Sequence, residues 1–179
     1  MTGVMSDISL RTARPEDAEV LAALGRATFM ETFLDGFAIP YPAADLEAYL
    51  SAAFATATIR ERLLDARQSW WVIERSGEMV AFANAGPNTL PHPDARATHA
   101  ELRRLYVAKH AQGTGLGTRM LETALAWMEA HTSGSLWIGV WSGNLKAQKL
   151  YAAYGFTKAG EYKYPVGSWY DDEFIFRRG

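Results

Sequence analysis

The segment with the clearest chemistry is Gln112-Gly113-Thr114-Gly115-Leu116-Gly117. A strand-like run over residues 99–107 precedes it. An amphipathic helix pattern follows, with Leu116, Met120, Leu121, Ala124, Leu125 and Met128 on one face. Glycines at such a junction let the backbone turn tightly and bring its amides close to an anion. The first helical turn adds unpaired N–H groups and a positive dipole end. The expected product is a diphosphate cradle. A glycine loop that binds nothing is the plain alternative, and the flanking strand and helix argue against it. Two other phosphate-binding patterns fail on spacing. A P-loop needs Gly-Lys-Ser/Thr after a four-residue gap, and no such run exists. A G-x-G-x-x-G fingerprint started at Gly113 ends on Thr118, and one started at Gly115 ends on Met120.

The elements that must hold this loop can be read outward from it. Residues 135–141 form a strand, and residues 144–154 a helix with Ala147, Leu150, Tyr151 and Tyr154 at helical spacing. Asn144 is placed to cap that helix and Gly155 to end it. Residues 156–162 and 169–177 read as closing strands. Upstream, residues 70–75 and 79–85 form a hairpin about Ser76-Gly77. Residues 86–98, with Pro87, Pro91 and Pro93, form an irregular loop. The first third is helical after a short strand at residues 8–12. Pro15 opens a first helix running to about Phe33. A second carries Leu46, Tyr49 and Leu50, and Thr58 with Glu61 at capping-box spacing opens a third. The pattern is α/β, with a strand–helix–strand–helix–strand back half.

Composition bounds the function. The chain has 179 residues, 49% of them hydrophobic, enough for one sizeable core, so residues 1–179 are read as a single domain. Its net charge of −2 lacks the basic excess of a nucleic-acid binder. It has no cysteine, which excludes disulfides, thiolate zinc sites and a cysteine nucleophile. His92, His99, His110 and His131 have no metal-ligand spacing, so no metal is expected. With no leader and no membrane-length apolar run, the expected location is cytoplasmic, away from membranes.

Three segments together resemble the GNAT acetyltransferases. Gln112, Gly115 and Gly117 fit the family's acetyl-CoA signature Q-x-x-G-x-G. Glu101-Leu102-Arg103-Arg104-Leu105-Tyr106-Val107 resembles its central strand. Asn144, Ala147, Tyr151 and Tyr154-Gly155-Phe156 resemble its second conserved segment. Residues 98–160 carry the likeness most strongly. It implies an α/β GNAT fold: a mixed, twisted sheet of six or seven strands, flanked by helices on both faces, whose central strand splays from that at 135–141. It also implies acetyl-CoA as co-substrate. Pantetheine would pair with Leu105, Tyr106 and Val107, and the diphosphate would lie on Gln112, Gly113, Thr114, Gly115, Leu116, Gly117 and Thr118. Asn144 and Tyr151 would also touch the cofactor. Many family members are dimers, so a homodimer fits the resemblance.

Acetylating an amine requires the ammonium to lose a proton. At a pKa near 10.4, roughly one lysine-like amine in 2,500 is free at pH 7, a deficit of about 4.6 kcal/mol. Glu101 stands eleven residues before Gln112, where some family members carry a glutamate, which makes it the expected base. A salt bridge to Arg103 or Arg104 is its structural alternative. Tyr151 is implied as the acid that protonates the coenzyme A sulfur, against a plain core role for a tyrosine on an apolar helix face. The Val107 amide is implied as the oxyanion donor.

The front third, including residues 27–33 and 45–50, resembles PaiA-type polyamine acetyltransferases more loosely. That likeness implies spermidine or spermine as acceptor, with Phe29, Glu31 and Tyr41 as expected contacts and Asp35 and Glu47 adding negative surface. A protein or peptide acceptor and a non-catalytic acyl-CoA sensor are the competing expectations.

Overall fold

The computed structural model describes residues 7–179. One seven-stranded sheet runs through it: β1 (Ile8–Thr12), β2 (Ser69–Arg75), β3 (Glu78–Pro87), β4 (Ala100–Val107), β5 (Leu136–Trp141), β6 (Thr157–Val166) and β7 (Trp169–Arg178), in spatial order β1-β2-β3-β4-β5-β7-β6. All neighbours are antiparallel except β4 and β5. That parallel pair needs a crossover, supplied by helix α4 (Leu116–His131).

Helices cover both faces. Against one face α4 packs Leu116, Met120, Leu121, Ala124, Leu125 and Met128, the stripe expected from the sequence, onto Trp71, Ile73, Ala83 and Ile138. Against the other lie α1 (Ala18–Phe29), α2 (Ala43–Ala53) and α3 (Thr56–Leu64), whose Leu21, Leu50 and Ile59 meet Trp70, Val72 and Phe82. β2 therefore reads Trp-Trp-Val-Ile without polar alternation, because both its faces are buried.

Two helical expectations are corrected. The first helix was expected to run to about Phe33, but regular α1 stops at Phe29 and continues as a wider coil, Met30–Gly36. There the Phe37 N–H reaches back five residues to the Thr32 carbonyl at 3.0 Å. A coil with more than four residues per turn keeps every fourth residue aligned. Phe29, Phe33 and Phe37 accordingly lie in a row of tilted rings, at centroid separations of 4.7 and 6.1 Å. The third helix opens at Thr56 rather than Thr58. The Ile59 N–H bonds the Ala55 carbonyl at 3.0 Å, so burial of Ile59 closes the first turn without a side-chain cap.

Two irregularities in β4 shape everything downstream. It pairs with β5 only at Ala100↔Leu136, Glu101↔Trp137 and Leu102↔Ile138, and then the two strands part. On its other edge β4 stays paired with β3 as far as Val107, while β5 stays paired with β7 as far as Trp141↔Glu173. The result is a V closed at Leu102 and open towards Val107. The second irregularity is a bulge. Arg104 faces Asn84 but Leu102 faces Ala85, leaving Arg103 as the extra residue. Leu102 and Leu105 both turn to the α4 core, so Arg103 and Arg104 fall together on the opposite face.

Candidate active site

The V holds a cavity of about 770 Å³. Its first wall is the free edge of β4, including Leu105, Tyr106 and Val107. The Ala108 N–H bonds Val80 on β3 at 2.8 Å. Successive strand amides alternate in direction. The Val107 N–H therefore points away from β3, into the V.

The glycine loop forms the mouth. Gly113 and Gly115 have φ of +77° and +81°, backbone that a side chain resists. A methyl group built on either would meet no heavy atom within 4 Å, so the cradle is open above its amides. Gly115 precedes α4 and offers no side-chain cap. The amides of Leu116, Gly117 and Thr118 are thereby left as first-turn donors. Gln112 Nε2 donates to the Val107 carbonyl at 3.0 Å, tying the loop to the end of β4. Gln112, Gly113, Gly115, Leu116, Gly117 and Thr118 all line the cavity.

The second wall is α5 (Leu145–Ala153). Asn144 Oδ1 accepts the Ala147 N–H at 3.0 Å and caps the helix, a contribution of about 1 kcal/mol. Tyr151 is half-buried in the same wall. Burial first, and then the charge of Glu173, push its phenol up to about 12, so it stays protonated at neutral pH and can donate.

Glu101 sits at the closed end of the V, opposite Trp137, and is buried. Its Oε1 accepts both the Thr89 N–H at 2.7 Å and the Thr89 hydroxyl at 2.8 Å. Burial raises its pKa, and the two Thr89 hydrogen bonds oppose that rise. The carboxylate thus anchors the loop over residues 88–99, and Glu101 is outside the cavity lining.

On the α1–α3 face of the sheet the cavity is aromatic and acidic. Phe29, Phe33, Phe37, Tyr49, Tyr162 and Tyr164 surround it, with Asp171 and Glu173 from β7. Of the acceptor residues expected from sequence, Phe29 lines this space. Tyr41 is one layer behind, donating its hydroxyl to Asp171 Oδ2 at 2.6 Å. Glu31 is elsewhere, accepting the Lys109 N–H at 2.9 Å, and Glu47 pairs with Arg26. Sequence reasoning missed Asp171, Glu173 and Arg104. The available signal was parity, since Asp171, Glu173 and Ile175 alternate along one buried face of β7.

Glu173 is only 9% exposed. Burial and the neighbouring Asp171 charge push its carboxyl up to about 8, with no cation or hydrogen bond among the described residues opposing them. Arg104 is the cationic counterpart. Its guanidinium lies 4.5 Å over the Phe54 ring, and its Nη1 is buried without a hydrogen-bond acceptor among the described residues.

An open glycine loop at a helix start, a free strand edge and a capped helix carrying a tyrosine thus meet in one splayed sheet. The sequence pattern of the "Acetyltransferase (GNAT) family" matches residues 28–156. The chain belongs to the GNAT acetyltransferase family. This GNAT chain is similar to an uncharacterized N-acetyltransferase of Mycobacterium bovis, 28% identical over 162 residues, covering 90% of this chain and 97% of that protein. It is also similar to the probable spermine N(1)-acetyltransferase of Bacillus subtilis subsp. natto, 30% identical over 86 residues, covering 48% of this chain and 57% of that one. Among solved structures, the PaiA N-acetyltransferase of Thermoplasma acidophilum in complex with coenzyme A matches with a TM-score of 0.74 at 16% identity, over 96% of this chain and 98% of that one. That likeness speaks for the fold. The GNAT enzyme is an acetyl-CoA-dependent N-acetyltransferase, and its open glycine cradle and free strand edge fit that co-substrate.

Proposed function

We propose that this GNAT enzyme transfers acetyl from acetyl-CoA directly to the primary amine of a small molecule. The observation that carries the reading is one V-shaped cavity lined by the open glycine loop, by Tyr151 and by an aromatic, acidic patch holding Asp171 and Glu173. The amides of residues 112–118 would hold the diphosphate. The edge Leu105–Tyr106–Val107 would pair with the pantetheine amides. The Val107 N–H would meet the developing oxyanion. Tyr151 would give a proton to the departing thiolate. Asn144, besides capping α5, lines the cavity and would contact the cofactor.

A polyamine acceptor is the narrower reading. Supporting it are the carboxylates of Asp171 and Glu173 within a ring of aromatic faces, which suit an alkylammonium. The name of the Bacillus relative points the same way. A second reading is favoured by Arg104, a cavity-lining cation with no ion-pair partner among the described residues. An amine that also carries an anionic group, such as an amino acid or short peptide, would satisfy both poles. Among the described residues no helix is long and apolar enough to cross a membrane, and we read the enzyme as cytoplasmic.

The test is release of free thiol from acetyl-CoA across spermidine, spermine, diamines, aminoglycosides, amino acids and short peptides. Saturable release with polyamines is the expected result. Release only with carboxylate-bearing amines transfers the reading to the Arg104 alternative. Binding of acetyl-CoA with no release from any amine would point to a sensor.

A further inference from the structure

We infer that Glu173 is the group that takes the proton from the acceptor ammonium. The inference rests on the acetyl-transfer reading and deepens it, since the family offset points to Glu101 instead.

Four observations carry it. First, Glu173 lines the cavity, whereas Glu101 does not. Second, its place is fixed by pairing on both sides. β7 sets Glu173 opposite Trp141 at the end of β5 and opposite Tyr162 on β6, which is the flank of the splay. Third, among the described residues Glu173 has no hydrogen-bond or ion-pair partner acting on it, while Thr89 holds Glu101. Fourth, Glu173 and Tyr151 line the same cavity, and the charge of Glu173 raises the Tyr151 phenol.

The charged and titratable groups around Glu173 come from every neighbouring element. Asp171 shares its strand and raises it. Tyr162 on β6, Tyr106 on β4 and Tyr41 ahead of α2 are each raised, by burial first and with Glu173 contributing. Arg104 on β4, a cation lining the cavity, lowers Tyr106 but is not among the influences on Glu173. A carboxyl held near 8 is better matched to an ammonium near 10 than one at its ordinary value.

The step balances as follows. The ammonium gives one proton to a Glu173 carboxylate oxygen, and the freed nitrogen lone pair forms the C–N bond to the thioester carbon. The C–S bond then breaks. Tyr151 gives its proton to the sulfur and regains one from the acetylated nitrogen. Glu173 returns its proton to solvent after product leaves.

The experiment is the pH dependence of kcat/KM for wild type, Glu173→Gln and Glu101→Gln, with the amine that the thiol-release panel identifies. Acetyl-CoA affinity and thermal melting are measured on each protein. In wild type, kcat/KM should climb with pH up to about 8, the range in which Glu173 loses its proton. Glu173→Gln should lower kcat by roughly 10²–10⁴-fold. Its ascending limb should move to the amine's own pKa, near 10. Acetyl-CoA affinity should stay within about twofold of wild type, a magnitude set by the absence of Glu173 from the cradle. Glu173→Asp, which keeps the carboxyl, should keep the limb at reduced rate, and it carries the test if Glu173→Gln does not fold. A limb that stays near 8 in Glu173→Gln, or one that disappears in Glu101→Gln, would overturn the inference. A wild-type protein that acetylates no amine would overturn the acetyl-transfer reading first, and this inference with it.

Discussion

Tyr41 donates its hydroxyl to Asp171 Oδ2 at 2.6 Å, joining the loop before α2 to β7 across 130 residues of sequence. Trp169 Nε1 donates to the other oxygen at 3.0 Å. Two donors therefore fix both oxygens of the buried carboxyl group at the back of the acceptor pocket. Tyr41→Phe removes one charge-assisted bond and should cost about 1.5–3 kcal/mol of stability, read from urea unfolding. It should also raise KM for the amine more than KM for acetyl-CoA. Equal effects on the two would detach Asp171 from acceptor binding.

Glu173 has a stability signature of its own. Its folded pKa, about 8, lies above its ordinary value of 4.5. A raised acid contributes most at low pH, and that contribution is lost as pH rises through the window between those values. Glu173→Gln escapes the loss. Its melting temperature should therefore gain on wild type between pH 5 and 8 and hold a constant lead above, amounting to a few kcal/mol. A lead independent of pH would show that the carboxyl does not titrate in that window.

Tyr151→Phe keeps the ring that packs against Phe156 at 6.4 Å and removes only the hydroxyl. Turnover should fall at least about tenfold. Acetyl-CoA affinity by calorimetry should hardly change. Undiminished turnover would return Tyr151 to a packing role.

Gly115→Ala places a side chain at φ +81°, a strain of about 1–2 kcal/mol, and puts a methyl group above the amides of the cradle. KM for acetyl-CoA should rise roughly tenfold, with a smaller effect on kcat. A variant with wild-type KM would mean that the diphosphate lies elsewhere.

Arg104→Gln separates the two acceptor readings by sign. Removing the like charge should lower KM for spermidine several-fold, as measured by initial rates. A higher KM for the preferred acceptor would instead identify an amine with an anionic group at Arg104.

The sequence disclosed the cofactor side of this cavity far better than the acceptor side. The cradle, its strand and its helix lie within one short stretch, where glycine placement and helical periodicity are local signals. The splay of β4 from β5 was foreseen only through the family likeness. Asp171 and Glu173 reach the cavity because β7 inserts between β5 and β6, an order that no local pattern encodes. Acidity was instead expected from Glu31 and Glu47, which the fold engages with the Lys109 amide and Arg26. The wide coil at Met30–Gly36 was also invisible, because its residues suit an ordinary helix.

The extra residue in β4 acts like a shift of reading frame within a strand. Before Arg103, odd-numbered residues such as Glu101 look towards the acceptor face; after Arg104, even-numbered ones such as Tyr106 do. Pairing Arg103 into the ladder without the bulge would exchange the two faces for every position after it. Leu105 and Val107 would then crowd the acceptor face, while Tyr106 would turn into the α4 core. Deleting Arg103 has the opposite outcome, because Leu102, Arg104, Leu105, Tyr106 and Val107 then alternate plainly on the faces they already hold. The bulge is thus the slack that absorbs one residue without disturbing the pocket, so a relative one residue shorter at this point should keep the same acceptor face.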